Sequence, residues 1–371
     1  MNIYNDNRIV LTLDAGGTNF VFSAIQGGNE IVTPLILPSN ASDLDLCLTS
    51  IIEGFKSLME QLPKEPVALS FAFPGPADYE NGIIGDLPNF PSFRGGVALG
   101  PMLEELFQLP TIINNDGDLF TYGEAVAGIL PEINSSFSTV RPFKNLIGIT
   151  LGTGFGGGVV INGSKCKGDN SAAGEMWLMR NFREPRCIAE EGISIRGIQR
   201  LFKELSRDDT PYTPKEIYEF ASGDKKGDQA AAIAAFEAMA VNIAEALANA
   251  ITLVDGPVVI GGGISGAGEF LVPKIVEHLN GNIENYQGEL IPRLVSKVYN
   301  LDDPASFERL RSLKKTRIPV PFTNKYIDYS SEKIIPIGVS RLGTSKAVSL
   351  GAYAVALDHL NQTETSLREN Y

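Results

Sequence analysis

Two short segments of this 371-residue chain carry the residue types that could grip phosphate. The first is Leu13-Asp14-Ala15-Gly16-Gly17-Thr18-Asn19, after the apolar run Ile9–Leu13. The second is Leu151-Gly152-Thr153-Gly154-Phe155-Gly156-Gly157-Gly158, after Leu146–Thr150 and before Val159–Ile161. In each, glycines let backbone N–H groups approach phosphate oxygens with no Cβ in the way, and a threonine adds a hydroxyl. A single glycine-rich hairpin is common. Two of them, about a domain's length apart, point to a nucleotide held between duplicated lobes.

The elements around these loops follow from pattern and punctuation. Arg8–Asp14 feeds the first glycine turn and Asn19–Ile25 leaves it, while Gly27-Gly28-Asn29 turns the chain into a third strand, Ile31–Leu37. Ser42 or Asp43 caps a helix whose apolar positions Leu44, Leu48, Ile51, Ile52, Phe55 and Leu58 share one face. Val67–Phe73 is a buried strand, stopped by Pro74-Gly75-Pro76, and a loop-rich section with Leu87-Pro88-Asn89-Phe90-Pro91 follows. Pro101–Leu109 reads as a short helix, Thr111–Asn114 as a strand ending in Asn115-Asp116, and Asp118–Gly128 as a helix. A second lobe then repeats the plan. Strands near 145–151 and 156–162 flank its glycine turn, helices lie near 190–206, 213–222 and 228–254, and Val258–Ile260 runs into Gly261-Gly262-Gly263. Glu269–Leu279 is a further helix and Leu342–Leu360 a closing one. Residues 281–340 hold five prolines and no clear period, yet their apolar residues still need burial.

Composition narrows the function. With 43% hydrophobic and 20% charged residues the chain can build two cores. A net charge of −13 argues against nucleic acid as a main partner. The basic run Arg309–Arg317 is the local exception, read as a solvated face ahead of an anion or partner contact. Met1–Asn7 is polar, with no apolar signal region, and no stretch reaches the roughly 18–20 uninterrupted apolar residues of a membrane span. Cys47, Cys166 and Cys187 are scattered and fit a reducing cytoplasm. With only His278 and His359 beside them, a structural zinc site is not expected.

Asp14-Ala15-Gly16-Gly17-Thr18, Asn115-Asp116, Leu151–Gly158, Ala172-Ala173-Gly174-Glu175 and Gly261-Gly262-Gly263 occur in that order. In this combination the chain resembles the ROK family of sugar kinases and repressors. The resemblance covers most of residues 8–279 and the last helix. It implies an α/β actin-like ATPase fold of two duplicated lobes with a ligand cleft between them. The lobes would be 1–125 plus 343–371, and 126–342 with an elaboration around 281–340. It also implies ATP-dependent phosphorylation of a hexose hydroxyl (glucokinase-like, or acting on an N-acetylhexosamine, mannose or fructose), and a homodimer.

Residue by residue, the resemblance makes Asp116 the general base that takes the sugar hydroxyl's proton; the bland alternative is a helix N-cap. Asn115, Glu175 and Glu190 would bind the sugar beside it, with Glu191 the fallback for Glu190, and Gly75 and Asn89 complete that set. Asp14 would orient Mg²⁺ through water, or serve only as a turn aspartate. Gly16, Gly17, Thr18 and Asn19 would meet the phosphates from one lobe, Gly152, Thr153 and Gly154 from the other. Gly261, Gly262 and Gly263 would let the adenosine lie against backbone.

Two departures matter. Where the family has Glu-x-Gly-His, this chain has Glu175-Met176-Trp177-Leu178, and the cysteine-rich zinc loop becomes Arg183-Glu184-Pro185-Arg186-Cys187-Ile188-Ala189-Glu190. A lone thiol without histidine cannot make a tetrahedral site, so no zinc is expected. Trp177 is read as a core residue ahead of a platform for a sugar face. The competing readings are a catalytically silent sugar- or nucleotide-binding protein and a kinase of a non-sugar acceptor. A repressor is set aside because only about seven residues, too few for a helix-turn-helix, precede the first strand.

Overall fold

A computed structural model describes residues 2–75, 77–85, 87 and 90–369. The chain opens on a hairpin of β1 (Val10–Ala15) and β2 (Asn19–Gln26), antiparallel with Ala15 opposite Phe20, which closes the first glycine turn tightly. The third strand is split into β3 (Asn29–Glu30) and β4 (Leu35–Pro38), both paired with β2. Pro34 stands in the gap, where a missing N–H breaks the ladder. Next come α1 (Leu44–Met59), β5 (Ala68–Ala72), a small hairpin of β6 (Ile83–Ile84) and β7 (Val97–Ala98), α2 (Leu99–Phe107), β8 (Thr111–Asn114) and α3 (Asp116–Ala127). Asp43 caps α1, accepting from the Leu46 N–H, and Cys47, Ile51, Phe55 and Leu58 turn inward one helical repeat apart. The sheet order is β3-β2-β1-β5-β8, with β1, β5 and β8 parallel.

The second half starts with α4 (Ile129–Ser136) and the hairpin β9 (Leu146–Leu151)–β10 (Phe155–Ile161), then β11 (Ser164–Lys165). Helices α5 (Ile195–Ser206), α6 (Pro214–Ser222) and α7 (Gln229–Val254) precede β12 (Val258–Gly261) and α8 (Gly268–Leu279). After them come the hairpin β13 (Asn282–Glu284)–β14 (Leu290–Pro292), β15 (Lys297–Asn300), α9 (Pro304–Arg311), the hairpin β16 (Thr316–Pro319)–β17 (Tyr326–Tyr329), β18 (Ile334–Val339) and α10 (Thr344–Glu369). The second sheet runs β11-β10-β9-β12-β18-β15. It repeats the plan of the first: an antiparallel hairpin around a glycine turn, then parallel strands. Helix α7 is long and apolar enough to cross a membrane, but 67% of its most apolar window is buried inside the fold, so core packing accounts for its composition.

By compactness the chain divides into two units: Met1–Ala127, Lys165–Gly174 and Thr344–Tyr371, and Gly128–Ser164 with Glu175–Gly343. The first departure from the expected second lobe, 126–342, is the strap Lys165–Gly174, which groups with the first unit. The second is that the expected elaboration around 281–340 contains two strands of the main sheet, β15 and β18. The first unit's core is aromatic: Phe20, Phe22, Phe55, Phe71, Phe73, Phe90 and Phe93 are all fully buried, with Phe73 and Phe90 rings 4.9 Å apart. This rigid block stands behind β1, β5 and β8, whose C-terminal ends carry the candidate residues.

Candidate active site

In the first unit the candidate residues gather where strand gives way to helix. Asn115, between β8 and α3, takes the capping role: its Oδ1 accepts from the N–H groups of Gly117 (2.8 Å) and Asp118 (3.3 Å). Asp116 is therefore the first helical residue, not the cap, although its own Oδ1 accepts from Gly117 at 2.9 Å. The residue is exposed, yet desolvation by the surrounding protein raises its carboxyl pKa above the usual aspartate value. Gly75 lies beside this turn; a Cβ there would sit 3.4 Å from Asn115 Nδ2 and collide with the Tyr79 hydroxyl. Asn89 lies outside the described residues.

The first glycine turn belongs to the same unit. Gly16 N–H bonds the Asn19 carbonyl at 3.1 Å, and Ser39 braces the loop from outside, its N–H on Thr18 O and its hydroxyl on Gly17 O at 2.6 Å. Gly17, Thr18 and Asn19 are left exposed. Asp14, at the end of β1, has a raised pKa, through burial first and the nearby Asp116 charge second. Its carboxylate has no hydrogen-bond or ion-pair partner among the described residues, so the turn-aspartate reading has no bond to support it. Two carboxylates that repel each other, one of them unpartnered, fit Mg²⁺, which typically takes one or two carboxylates and fills its shell with water and phosphate oxygens.

The second unit carries the other glycine turns. Gly152 N–H bonds Gly154 O at 3.0 Å, and Gly152 O accepts from Ile195 at the start of α5 at 2.8 Å. Thr153 projects outward. Gly262 adopts φ +85, and a Cβ there would collide with the Leu151 backbone, so the Gly261–Gly263 turn packs directly on the root of the phosphate turn. Glu190 serves this turn too: Oε2 accepts from the Phe155 N–H at 2.9 Å and Oε1 takes Arg196 at 2.6 Å. Arg196 also holds Glu191 at 2.8 Å, a double grip that spacing alone did not disclose. Ser194 caps α5 and donates to Glu190 O at 2.8 Å.

Glu175 begins this unit's second stretch, and the Trp177 indole N–H donates to its Oε2. Trp177 is half-buried rather than a core residue, and Leu178 is exposed. The Arg183–Glu190 segment is closed by hydrogen bonds. The buried Asn181 accepts from Arg183 N and Glu184 N, both at 3.0 Å, while Asn181 N bonds Cys187 O at 3.0 Å. Among the described residues no three His, Cys, Asp or Glu side chains gather to hold a metal, and the Arg183–Glu190 segment itself offers one thiol and no imidazole. Metal analysis of the purified protein should find no stoichiometric zinc, and a chelator should leave its melting temperature unchanged. A cavity of about 1010 Å³ lies elsewhere in this unit, lined by Arg141, Lys144, Lys314, Lys315, Lys333 and Tyr329 among others; none of the candidate residues lines it.

Two α/β units, each built on a glycine-turn hairpin followed by parallel strands, define the actin-like ATPase fold. The ROK family model matches residues 10–299. The glucokinase of Halalkalibacterium halodurans is 28% identical over 298 residues, 73% of this chain and 85% of that one. The crystal structure of the glucokinase from Parabacteroides distasonis superposes with a TM-score of 0.89 at 51% identity, covering 97% of this chain and 100% of that one. A ROK family glucokinase from Streptomyces griseus, in complex with glucose and AMPPNP, shares the fold at a TM-score of 0.60 and 18% identity, over 95% and 99% of the two chains. The chain belongs to the ROK family.

Proposed function

We propose that this sugar kinase transfers the γ-phosphoryl group of ATP to a hexose hydroxyl, with Asp116 as general base. The hydroxyl oxygen attacks phosphorus, its proton passes to the Asp116 carboxylate, and ADP leaves as the bond to its bridging oxygen breaks. The observation that carries this reading is the division of labour at the α3 N-terminus. Asn115 caps the helix, which leaves Asp116, an exposed residue whose carboxyl pKa is raised by desolvation, without the capping role.

The other roles follow from chemistry. Backbone N–H groups and hydroxyls of Gly16–Asn19 and Gly152–Gly154 hold the phosphates, and Gly261–Gly263 accommodates the adenosine. Asp14 orients Mg²⁺, which when bound neutralises charge on the transferring phosphate. Asn115 Nδ2, Glu175 and Gly75 contact the sugar, and so does Asn89. Glu190 supports the phosphate turn, and each of its oxygens keeps a lone pair that a sugar hydroxyl can use.

The direct test is ADP release from Mg-ATP over a panel of hexoses, N-acetylhexosamines and ketohexoses, each against a no-sugar control. A strong response to one sugar names the acceptor; ATP binding with no response to any sugar would sink the reading. Within that assay Glu175→Gln should raise the sugar KM about 10- to 100-fold, the worth of one or two charge-assisted hydrogen bonds, with the ATP KM little changed.

A further inference from the structure

Lys165, at the end of β11, is a buried cation whose side chain reaches the turn that carries Asp116. Its side chain is 8% exposed, and its ammonium donates to Asn114 Oδ1 and lies 3.6 Å from Asp118 Oδ2, itself in a side chain 10% exposed. Asn114 closes β8 and Asp118 sits in the first turn of α3. The two residues gripped are thus Asp116's neighbours at −2 and +2. The Asn114 backbone is held in the sheet, its carbonyl accepting from the Phe73 N–H at 3.0 Å, while its side-chain Nδ2 is buried without a hydrogen-bond partner. Burial pulls the ammonium below the usual lysine range, and Asp118 opposes that shift.

A buried ion pair is a poor device for stability, because desolvation offsets most of the attraction; its best-attested use is to specify geometry. Lys165 is well placed for that. Ser164 ends one stretch of the second unit, Lys165 begins the strap that belongs to the first, and the strap ends at Gly174, just before Glu175. The Lys167 side chain, next but one, makes an exposed pair with Glu80 at 3.2 Å.

We propose that Lys165 is the positioning residue of the catalytic turn: by holding Asn114 and Asp118 it fixes Asp116 where β8 gives way to α3. The inference rests on Asp116 being the base. The test compares wild type, Lys165→Met and Lys165→Met/Asp118→Asn, the double variant also removing the buried Asp118 charge that the Lys165 ammonium faces. In Lys165→Met, kcat should fall at least about tenfold, as for a sub-ångström misplacement, with the KM values for sugar and ATP within about threefold. The melting temperature should fall in the single variant and largely recover in the double, while kcat stays low in both. A folded single variant with wild-type kcat, or a double variant whose kcat recovers along with its melting temperature, would overturn the proposal.

Amide hydrogen exchange reads the same turn without reference to activity. Exchange at Gly117–Leu119 should speed up in both variants while the rest of the first unit keeps its protection. Unchanged exchange there overturns the clasp. A wild type that releases no sugar-dependent ADP, with variants that still exchange faster, would instead overturn the assignment of the base and leave the clasp standing.

Discussion

Replacing Asp116 with asparagine should lower kcat by about a thousandfold, while sugar and nucleotide affinities stay within about threefold of wild type. Asparagine keeps the shape and can still accept from the Gly117 N–H, so the α3 N-terminus survives; what disappears is the site for the hydroxyl's proton. Steady-state kinetics with isothermal binding measurements separate the two effects. A variant with near-normal turnover would remove Asp116 from the mechanism. In the wild type the base works only when deprotonated, so turnover should fall as pH drops, with the acid limb above the usual aspartate range because desolvation raises this pKa. The variant should lose that limb.

The same shift has a consequence for stability, of opposite sign. A carboxyl whose pKa is higher in the folded than in the unfolded chain binds its proton more tightly when folded. Its contribution to stability is full below the unfolded pKa and is lost as pH rises through the folded one. At neutral pH the ionised Asp116, with Asp14 beside it, therefore works against folding. Asp116→Asn should melt above wild type at pH 7, and the gain should shrink as pH falls into the carboxylate range. Lower activity with higher stability is the signature of a residue kept for chemistry.

How far the sequence carries depends on how local each determinant is. The glycine turns are legible because each hairpin's punctuation lies within a few residues, and Thr111–Asn114 forms a strand with those bounds. The start of α3 shifts by two residues because Asn and Asp cap helices about equally well, and only geometry shows that Asn115 does it. The strand Ile334–Val339 is hidden by Pro336, a residue that argues against a strand between two others; it pairs with Tyr299 and forfeits one ladder N–H. Side-chain contacts that no repeat or local signal encodes are out of reach. Ser39 bracing the first glycine turn, Arg196 gripping Glu190 and Lys165 holding Asp118 have no periodicity to betray them. Trp177 shows the limit of composition: a lone tryptophan is usually core, yet this one is half-buried and bonds Glu175.

Introducing a side chain at Gly123 should be the most damaging single change to the first unit. Helices α3 and α10 approach so closely that a Cβ on Gly123 would collide with the Ala347 carbonyl, and one on Gly351 with the Leu119 carbonyl. The contact is reciprocal, glycine to backbone on both helices, so neither can yield without moving the other. The Ser70 hydroxyl, buried on β5, pins α10 further by donating to Ala352 O at 2.7 Å. Intrinsic propensity points the other way, since glycine inside a helix is worse than alanine by about 1 kcal/mol. A stabilised Gly123→Ala would therefore mean the helices have room to spare. The collision predicts instead that Gly123→Ala costs about 1–3 kcal/mol and Gly123→Val about 3 kcal/mol or more, a melting-point loss of roughly 6–12 °C for the latter. Because α3 carries Asp116 at its first residue, the displacement should reach the chemistry as well. In whatever fraction remains folded, kcat should fall further than either KM rises. Thermal melting and steady-state kinetics on the two variants, at a temperature where both stay folded, would decide whether the close approach fixes the base or only the core.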